Sequence, residues 1–345
     1  MMTAAIDRRK FLSREAILSA ACELRPDPLP YPQATIARRA MACGFSITLP
    51  ANLPHPVDAG VAALDEIDRL EERLSIYKDE SDLSRLNATA AGRPVQLDTE
   101  LYSLLRTARN LSRATGRAFD PAAGALVRAW GFFRGPRRVP STIEIRAARE
   151  NSGIHFIDFD DEQRTIAFRR PVEFNLGAFG KGYAIDRAIH RVWTQHHVRC
   201  ALMQGGQSSI KAVGAPPDEP RGWQVQLMDP ENEVRPLVRL SLRDRALGTS
   251  GDANRFFVHH GRRFGHVLDP RTGWPACGLA AASAIARHAA EADALSTAFY
   301  VLGVEATREF LKHRPDLGAI LVLPKSQSAA RRVIVLGAAD AEVLS

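Results

Sequence analysis

Cysteine is scarce in this chain and unpatterned. Its 345 residues carry four, Cys22, Cys43, Cys200 and Cys277, with no C-x-x-C and no Cys/His spacing of a zinc module. That excludes a disulfide framework and a structural zinc site and leaves ordinary free thiols. Long apolar runs are also missing. None reaches the roughly 18 residues that a membrane span needs, so no transmembrane span is expected. There is no repeat at a fixed period and no low-complexity segment, which excludes solenoids and arrays. Balanced charge is lacking as well, the formal net charge being +7. The basic clusters (Arg8-Arg9-Lys10, Arg169-Arg170, Arg331-Arg332) are short and not interleaved with aromatics. The excess is read as a solvated surface with some help toward an anionic ligand, and no nucleic-acid partner is expected.

What is present is an ordinary soluble composition, 45% hydrophobic and 25% charged, long enough for one large domain or two lobes. The first 35 residues stand apart. Asp7-Arg-Arg-Lys-Phe-Leu12 looks like a twin-arginine export signal, but Arg14 and Glu15 interrupt the apolar stretch such a signal needs. Ala20-Ala-Cys22 only faintly echoes a lipoprotein cleavage site. With Pro26, Pro28, Pro30 and Pro32 following, residues 1 to about 35 read as a loosely packed or vestigial leader. A cytoplasmic location is favoured; export to the periplasm with membrane association is the alternative.

Beyond the leader, strands and helices intermingle. Phe45 to Leu49 alternates and reads as a first strand. Val61, Leu64, Ile67, Leu70 and Leu74 recur at helical spacing. Ser75 to Asn87 is polar and reads as a loop. Asp98 is placed to cap a second helix whose apolar face is Leu101, Leu104, Leu105, Ala108 and Leu111. Residues 154–159 and 165–168 read as a hairpin, residues 183–193 as a helix and residues 200–203 as a buried strand. Residues 223–227 and 237–242 read as a strand pair, residues 292–302 as a helix, and residues 319–323 and 333–336 as late strands. The irregular alternation predicts an α+β class rather than a doubly wound sheet.

Two runs carry the chemistry. His266-Val-Leu-Asp-Pro-Arg-Thr-Gly273 packs an imidazole, a carboxylate, a guanidinium and a hydroxyl into one short segment. In Glu291-Ala-Asp-Ala-Leu-Ser-Thr297, Asp293 and Thr297 are one helical turn apart on one face. Hard oxygens so placed suit Mg²⁺, and a histidine near a metal-bound phosphate suits acid–base chemistry. Spacing alone leaves open that Asp293 is a cap, Thr297 a self-satisfied hydroxyl and His266 structural. Asn175 to Tyr183 adds Gly177, Gly180 and Gly182 before a helix, with Lys181 as a point charge. Such a turn lets backbone approach a phosphate or flat ring. Its spacing is not the G-x-G-x-x-G of a dinucleotide fold.

Further motifs are Met41-Ala-Cys-Gly-Phe-Ser46, Ser75-Ile-Tyr77, Gly116-Arg-Ala-Phe-Asp-Pro121, Trp130-Gly-Phe132, Gly205-Gly206 and Thr249-Ser-Gly-Asp252. In this order and spacing the chain resembles the ApbE family, the FAD:protein FMN transferases, from about residue 36 to about residue 340. The resemblance implies an ApbE-like, T-fold-related α+β fold of mixed sheets with packed helices, in two intimately packed lobes around an FAD site. It implies transfer of FMN from FAD, through a phosphoester bond, to a Thr or Ser hydroxyl of an acceptor flavoprotein, with release of AMP. By the same resemblance Asp293, Thr297 and the Ala178 carbonyl hold Mg²⁺, with Ser296 close to a further ligand position. Met41, Tyr77, Ala118, Phe119, Asp120, Asn175, Lys181, Thr249 and Val267 line the FAD site, and His266 is the base for the acceptor hydroxyl. Phe119 suits core packing equally well unless its backbone makes the contact. Family acceptors are subunits of membrane redox complexes and flavoproteins with a short Ser/Thr motif. Two rival readings share the site: a Mg²⁺-dependent FAD pyrophosphatase and a non-catalytic flavin-binding or delivery protein. The chain departs from many relatives at Gln207-Ser208-Ser209, where those have Asp or Asn after Gly-Gly, and at Phe179, where those have a smaller aliphatic.

Overall fold

Eight strands form one antiparallel sheet whose spatial order is its sequence order. They are β1 (Gln33–Ala40), β2 (Cys43–Pro50), β3 (Ala201–Gly205), β4 (Ser209–Val213), β5 (Ala246–Gly251), β6 (Ala281–Ala286), β7 (Gly318–Val322) and β8 (Val333–Gly337). This computed structural model describes residues 32–252, 255–325, 331–337 and 341–344. Most of the leader expected over residues 1 to 35 lies outside the described residues. Its last part is ordered, since β1 begins at Gln33 and pairs along its length with β2. Phe45 to Leu49 therefore belongs to the second strand. Met41 and Ala42 form the two-residue turn between them, both left-handed at φ 47° and 62°. That conformation matches the twist of a hairpin but is disfavoured for residues with a Cβ.

Seven α-helices accompany the sheet among the described residues: α1 (Pro56–Leu74), α2 (Asp82–Thr89), α3 (Thr99–Ala114), α4 (Gly124–Ala129), α5 (Thr142–Glu150), α6 (Gly180–Gln195) and α7 (Ala289–Lys312). Asp98 caps α3, accepting from the amides of Glu100 and Leu101, and the predicted apolar face of α3 is buried. In α1, Leu64, Ile67, Leu70 and Leu74 are buried, but Val61 is 37% exposed. The polar stretch after Ser75 is not all loop. Ser81 accepts from Ser84 N to start α2, and Leu83 and Leu86 bury its one apolar edge. The hairpin predicted at 154–168 forms as Ile157–Asp160 with Thr165–Phe168. Helix α7 is interrupted at Gly303, which adopts φ 74°.

At β6 and β7 the two faces of the sheet differ by size of side chain. Toward the helices point Ala282, Ala284 and Ala286 of β6, and Ala319 and Leu321 of β7. Toward the other face point Ile285 of β6 and Ile320 and Val322 of β7, packing with Trp223, Val225 and Leu240. That face is covered by a small sheet of Trp223–Asp229, Asn232–Leu242 and Ala341–Val343. Small residues on the helical side let α6 and α7 approach backbone to backbone. A Cβ on Gly248 of β5 would lie 2.4 Å from the carbonyl of Ala292 in α7, and one on Gly182 of α6 would lie 2.2 Å from the carbonyl oxygen of Ala289. A smaller packed unit joins α4, α5 and the 256–265 hairpin through Leu126, Trp130, Ile145, Ala148, Phe264 and Leu268. No helix among the described residues is long and apolar enough to cross a membrane.

Candidate functional site

The close approach of α6 and α7 builds the first half of the site. Asp293, in the second turn of α7, is 7% exposed. Its Oδ2 accepts from the Gly182 amide at 2.8 Å, and both carboxylate oxygens accept from Ser209 Oγ, at 2.8 and 2.9 Å. Every donor is neutral. Burial therefore holds the Asp293 carboxyl up at about 6, with nearby Lys181 opposing. The Gly182 amide, four residues after Ala178, goes to Asp293 instead of closing a helical turn onto the Ala178 carbonyl. One turn further along α7, Thr297 Oγ1 lies 2.9 Å from Ser250 Oγ, which is also 2.9 Å from Ser296 Oγ. Ser296 itself donates to the Asp293 carbonyl.

This donor set fits a hard divalent cation. It offers one buried carboxylate lacking a bonded cation, several hydroxyls and a carbonyl freed at a helix start. Among the described residues no group of three or more His, Cys, Asp or Glu converges, so neutral oxygens and a phosphate ligand would complete the sphere.

Around these oxygens the structure gathers three turns. Lys181 Nζ donates to Ser208 Oγ, and the Ser208 carbonyl accepts from Thr249 N at 2.7 Å. Thr249 Oγ1 meets Ser283 Oγ at 2.9 Å across β5 and β6. Gly206 N donates to the Gly44 carbonyl, drawing in the Met41 turn, whose Met41 amide is held by Glu71 at 2.8 Å. Asn175 caps its own turn by accepting from Gly177 N, and its amide binds the Pro121 carbonyl at 2.7 Å. The 118–121 segment thus abuts the glycine-rich turn. Its side chains are turned into the core, however. Ala118 and Phe119 are buried, and the Phe119 ring packs 6.1 Å from that of Phe179. Asp120 accepts from the amides of Ala122 and Ile154, and burial holds its carboxyl up at about 6. Only backbone of this segment is left to meet a ligand.

His266 anchors the second half. Its Nδ1 lies 3.1 Å from the Arg255 carbonyl. A carbonyl can only accept, so Nδ1 carries the proton and the neutral ring presents its Nε2 lone pair. Burial pushes the imidazole down to about 4. Trp130 fixes the following turn through Nε1 to the Gly273 carbonyl at 2.9 Å, and Arg271 folds back on Asp269 in a bidentate pair. Val267 is buried in the main core. Tyr77 is 57% exposed, with its ring 4.9 Å from that of Phe133. Strand β5 joins the halves. It carries Thr249 and Ser250, and Asp252 just beyond it packs on Gly265 beside His266.

A statistical model of the ApbE family matches residues 41–321. This chain belongs to the ApbE family. A FAD:protein FMN transferase of Treponema pallidum is 32% identical over 293 residues, covering 79% of this chain and 80% of its own. One of Klebsiella pneumoniae is 29% identical over 259 residues, covering 74% and 79%. Among solved structures, the ApbE protein of Thermotoga maritima superposes with a TM-score of 0.79 at 29% identity, over 87% of this chain and 96% of that one. The apo form of the flavinyl transferase ApbE from Pseudomonas stutzeri gives 0.76 at 26% identity, over 90% and 96%.

Against this ApbE fold, two residues passed over as mere departures acquire work. Ser209 holds Asp293 and Ser208 holds Lys181. Ser250, part of the Thr249-to-Asp252 motif, gains its specific contacts with Ser296 and Thr297 only by facing α7.

Proposed function

We propose that this chain is a Mg²⁺-dependent FAD:protein FMN transferase. The observation that carries the reading is that one strand, β5, packs beneath a buried carboxylate set among hydroxyls and leads into Asp252, which packs on Gly265 beside a neutral imidazole presenting its Nε2 lone pair. Family membership, with relatives named for that activity, gives the reaction class. Asp293, Thr297 and the Ala178 carbonyl would hold Mg²⁺, with Ser296 and Ser250 beside them. When bound, the cation neutralises charge on the pyrophosphate. Met41, Asn175, Lys181, Thr249 and the backbone of Ala118 to Asp120 would position FAD, with Tyr77 and Val267 at its edge.

His266 Nε2 takes the proton from the acceptor Thr or Ser hydroxyl. The hydroxyl oxygen forms a bond to the FMN phosphorus, and the bond from that phosphorus to the bridging oxygen breaks. AMP leaves carrying that oxygen, and FMN remains as a phosphoester on the acceptor flavoprotein. Removal of a general base lowers such rates by roughly 10²- to 10⁴-fold.

The test is mass spectrometry of the protein with FAD and Mg²⁺, with and without an acceptor domain, beside Asp293→Ala and His266→Ala. FMN on an acceptor Thr or Ser with both variants inactive supports the reading. Free FMN and AMP regardless of acceptor would replace it with a pyrophosphatase, and FAD bound but intact throughout would replace it with a flavin carrier.

A further inference from the structure

Between α4 and α5 the chain closes a tight loop. Gly131 adopts φ 73°, and a Cβ there would lie 2.2 Å from the Pro136 carbonyl oxygen. The ends of the loop touch, so Phe132, Phe133 and Arg134 are presented as one unit. Phe133 packs against Tyr77. The Arg134 guanidinium lies 5.1 Å over the Phe133 ring and 5.9 Å over the Tyr77 ring, and donates to the Tyr77 carbonyl at 3.0 Å. Arg137 lies 5.9 Å over Phe132 and donates to the Phe256 carbonyl at 3.0 Å. Phe132 meets the His266 ring edge-on at 6.3 Å.

The charges are what set this patch apart. Neighbouring Arg128 and Arg138 are paired with Glu173 and Glu144. Arg134 and Arg137 are exposed, and among the described residues no carboxylate lies within ion-pair distance of either. Two guanidinium groups are thus oriented by carbonyls and ring faces without a carboxylate partner among the described residues, and Arg137 sits over the ring that meets His266. Ordered arginine over aromatic faces is the composition of recognition surfaces, because planar forks already held in place lose little freedom on binding a carboxylate. The oxygen-rich half of the site already has a cation of its own for a phosphate in Lys181. The arginine platform is at the surface, where Tyr77 is 57% exposed.

We propose that this platform docks the acceptor polypeptide, through Asp or Glu side chains flanking the Thr or Ser presented to His266. The proposal rests on the transferase reading, and its test separates the two. The full-length chain loaded with FAD is titrated by fluorescence anisotropy with a labelled Thr-containing peptide bearing flanking Asp and Glu. Its counterpart bears Asn and Gln. The same peptides are assayed for FMN transfer.

The acidic peptide is expected to bind preferentially, with an affinity that falls as salt rises. The double variant Arg134→Gln/Arg137→Gln should weaken it roughly tenfold and flatten the salt dependence. Arg134→Lys/Arg137→Lys should keep the salt dependence but only part of the binding, and FAD affinity should be equal in all three proteins. Equal binding of the two peptides, or binding unmoved by the Gln variant, would overturn the proposal. A parallel loss of FAD affinity would overturn it too, by giving the arginines to the nucleotide. Preferential binding without any FMN transfer would leave the docking surface standing and remove the transferase reading instead.

Discussion

Asp120→Asn isolates what a buried carboxylate does in this fold. Asp120 is 8% exposed, accepts from the amides of Ala122 and Ile154, and has no cation bonded to it. Burial raises its carboxyl from 3.8 to about 6. A shift of roughly two units corresponds to about 3 kcal/mol. Because the folded pKa is the higher one, the contribution is present in full below pH 3.8. It declines as pH rises toward 6 and is lost above it. Asn presents the same amide-accepting oxygen and does not titrate. The stability of the parent relative to the variant should therefore fall by about 3 kcal/mol between about pH 4 and pH 7. Asp293, also held near 6, is common to both proteins and cancels. The assay is denaturant unfolding in chelator without FAD across that range. Asp120→Ala shares that pH dependence but also strands two buried amides, and should be less stable than Asp120→Asn by about 1–3 kcal/mol per group at every pH. A parent-to-Asn difference that stays flat with pH would refute the reasoning. A large loss of FAD affinity in the Asn variant at neutral pH would show that the side chain itself touches the nucleotide.

Other consequences follow from single contacts. Gly182→Ala places a methyl against the Ala289 carbonyl, and should destabilise by about 1–3 kcal/mol. It should also weaken Mg²⁺-dependent activity by shifting Asp293, as read by thermal unfolding and metal titration. Trp130→Phe removes the bond to Gly273 and should lower kcat through the His266 turn while sparing FAD affinity, measured by steady-state kinetics beside flavin titration. Ala42→Gly relieves one left-handed residue in the Met41 turn. It should raise stability by about 1 kcal/mol, checked by denaturant unfolding, with transfer activity unchanged.

Much of this protein was legible along the chain because the signal is local. A helix declares itself through apolar spacing and a cap, as α3 does with Asp98, since both depend on residues within two turns. The family motifs are likewise contiguous, so Asp293, Lys181 and His266 could be named as candidates from short runs. The three central strands, β4, β5 and β6, were not legible. Ala246–Gly251 and Ala281–Ala286 have only one β-branched residue each, Thr249 and Ile285, and lack the alternation that marks a strand. Their small residues are there because α6 and α7 pass close above them, a demand set by elements far away in sequence. The same closeness decided the rest. Only the fold brings the Gly182 amide and Ser209 to Asp293, turns Asp120 inward onto two amides, and sets Arg134 and Arg137 over aromatic rings beside His266. Which residues can do chemistry was written in the sequence. Which of them meet, and which are left charged and free to meet a partner, depends on distances that arise only when the sheet closes under its helices.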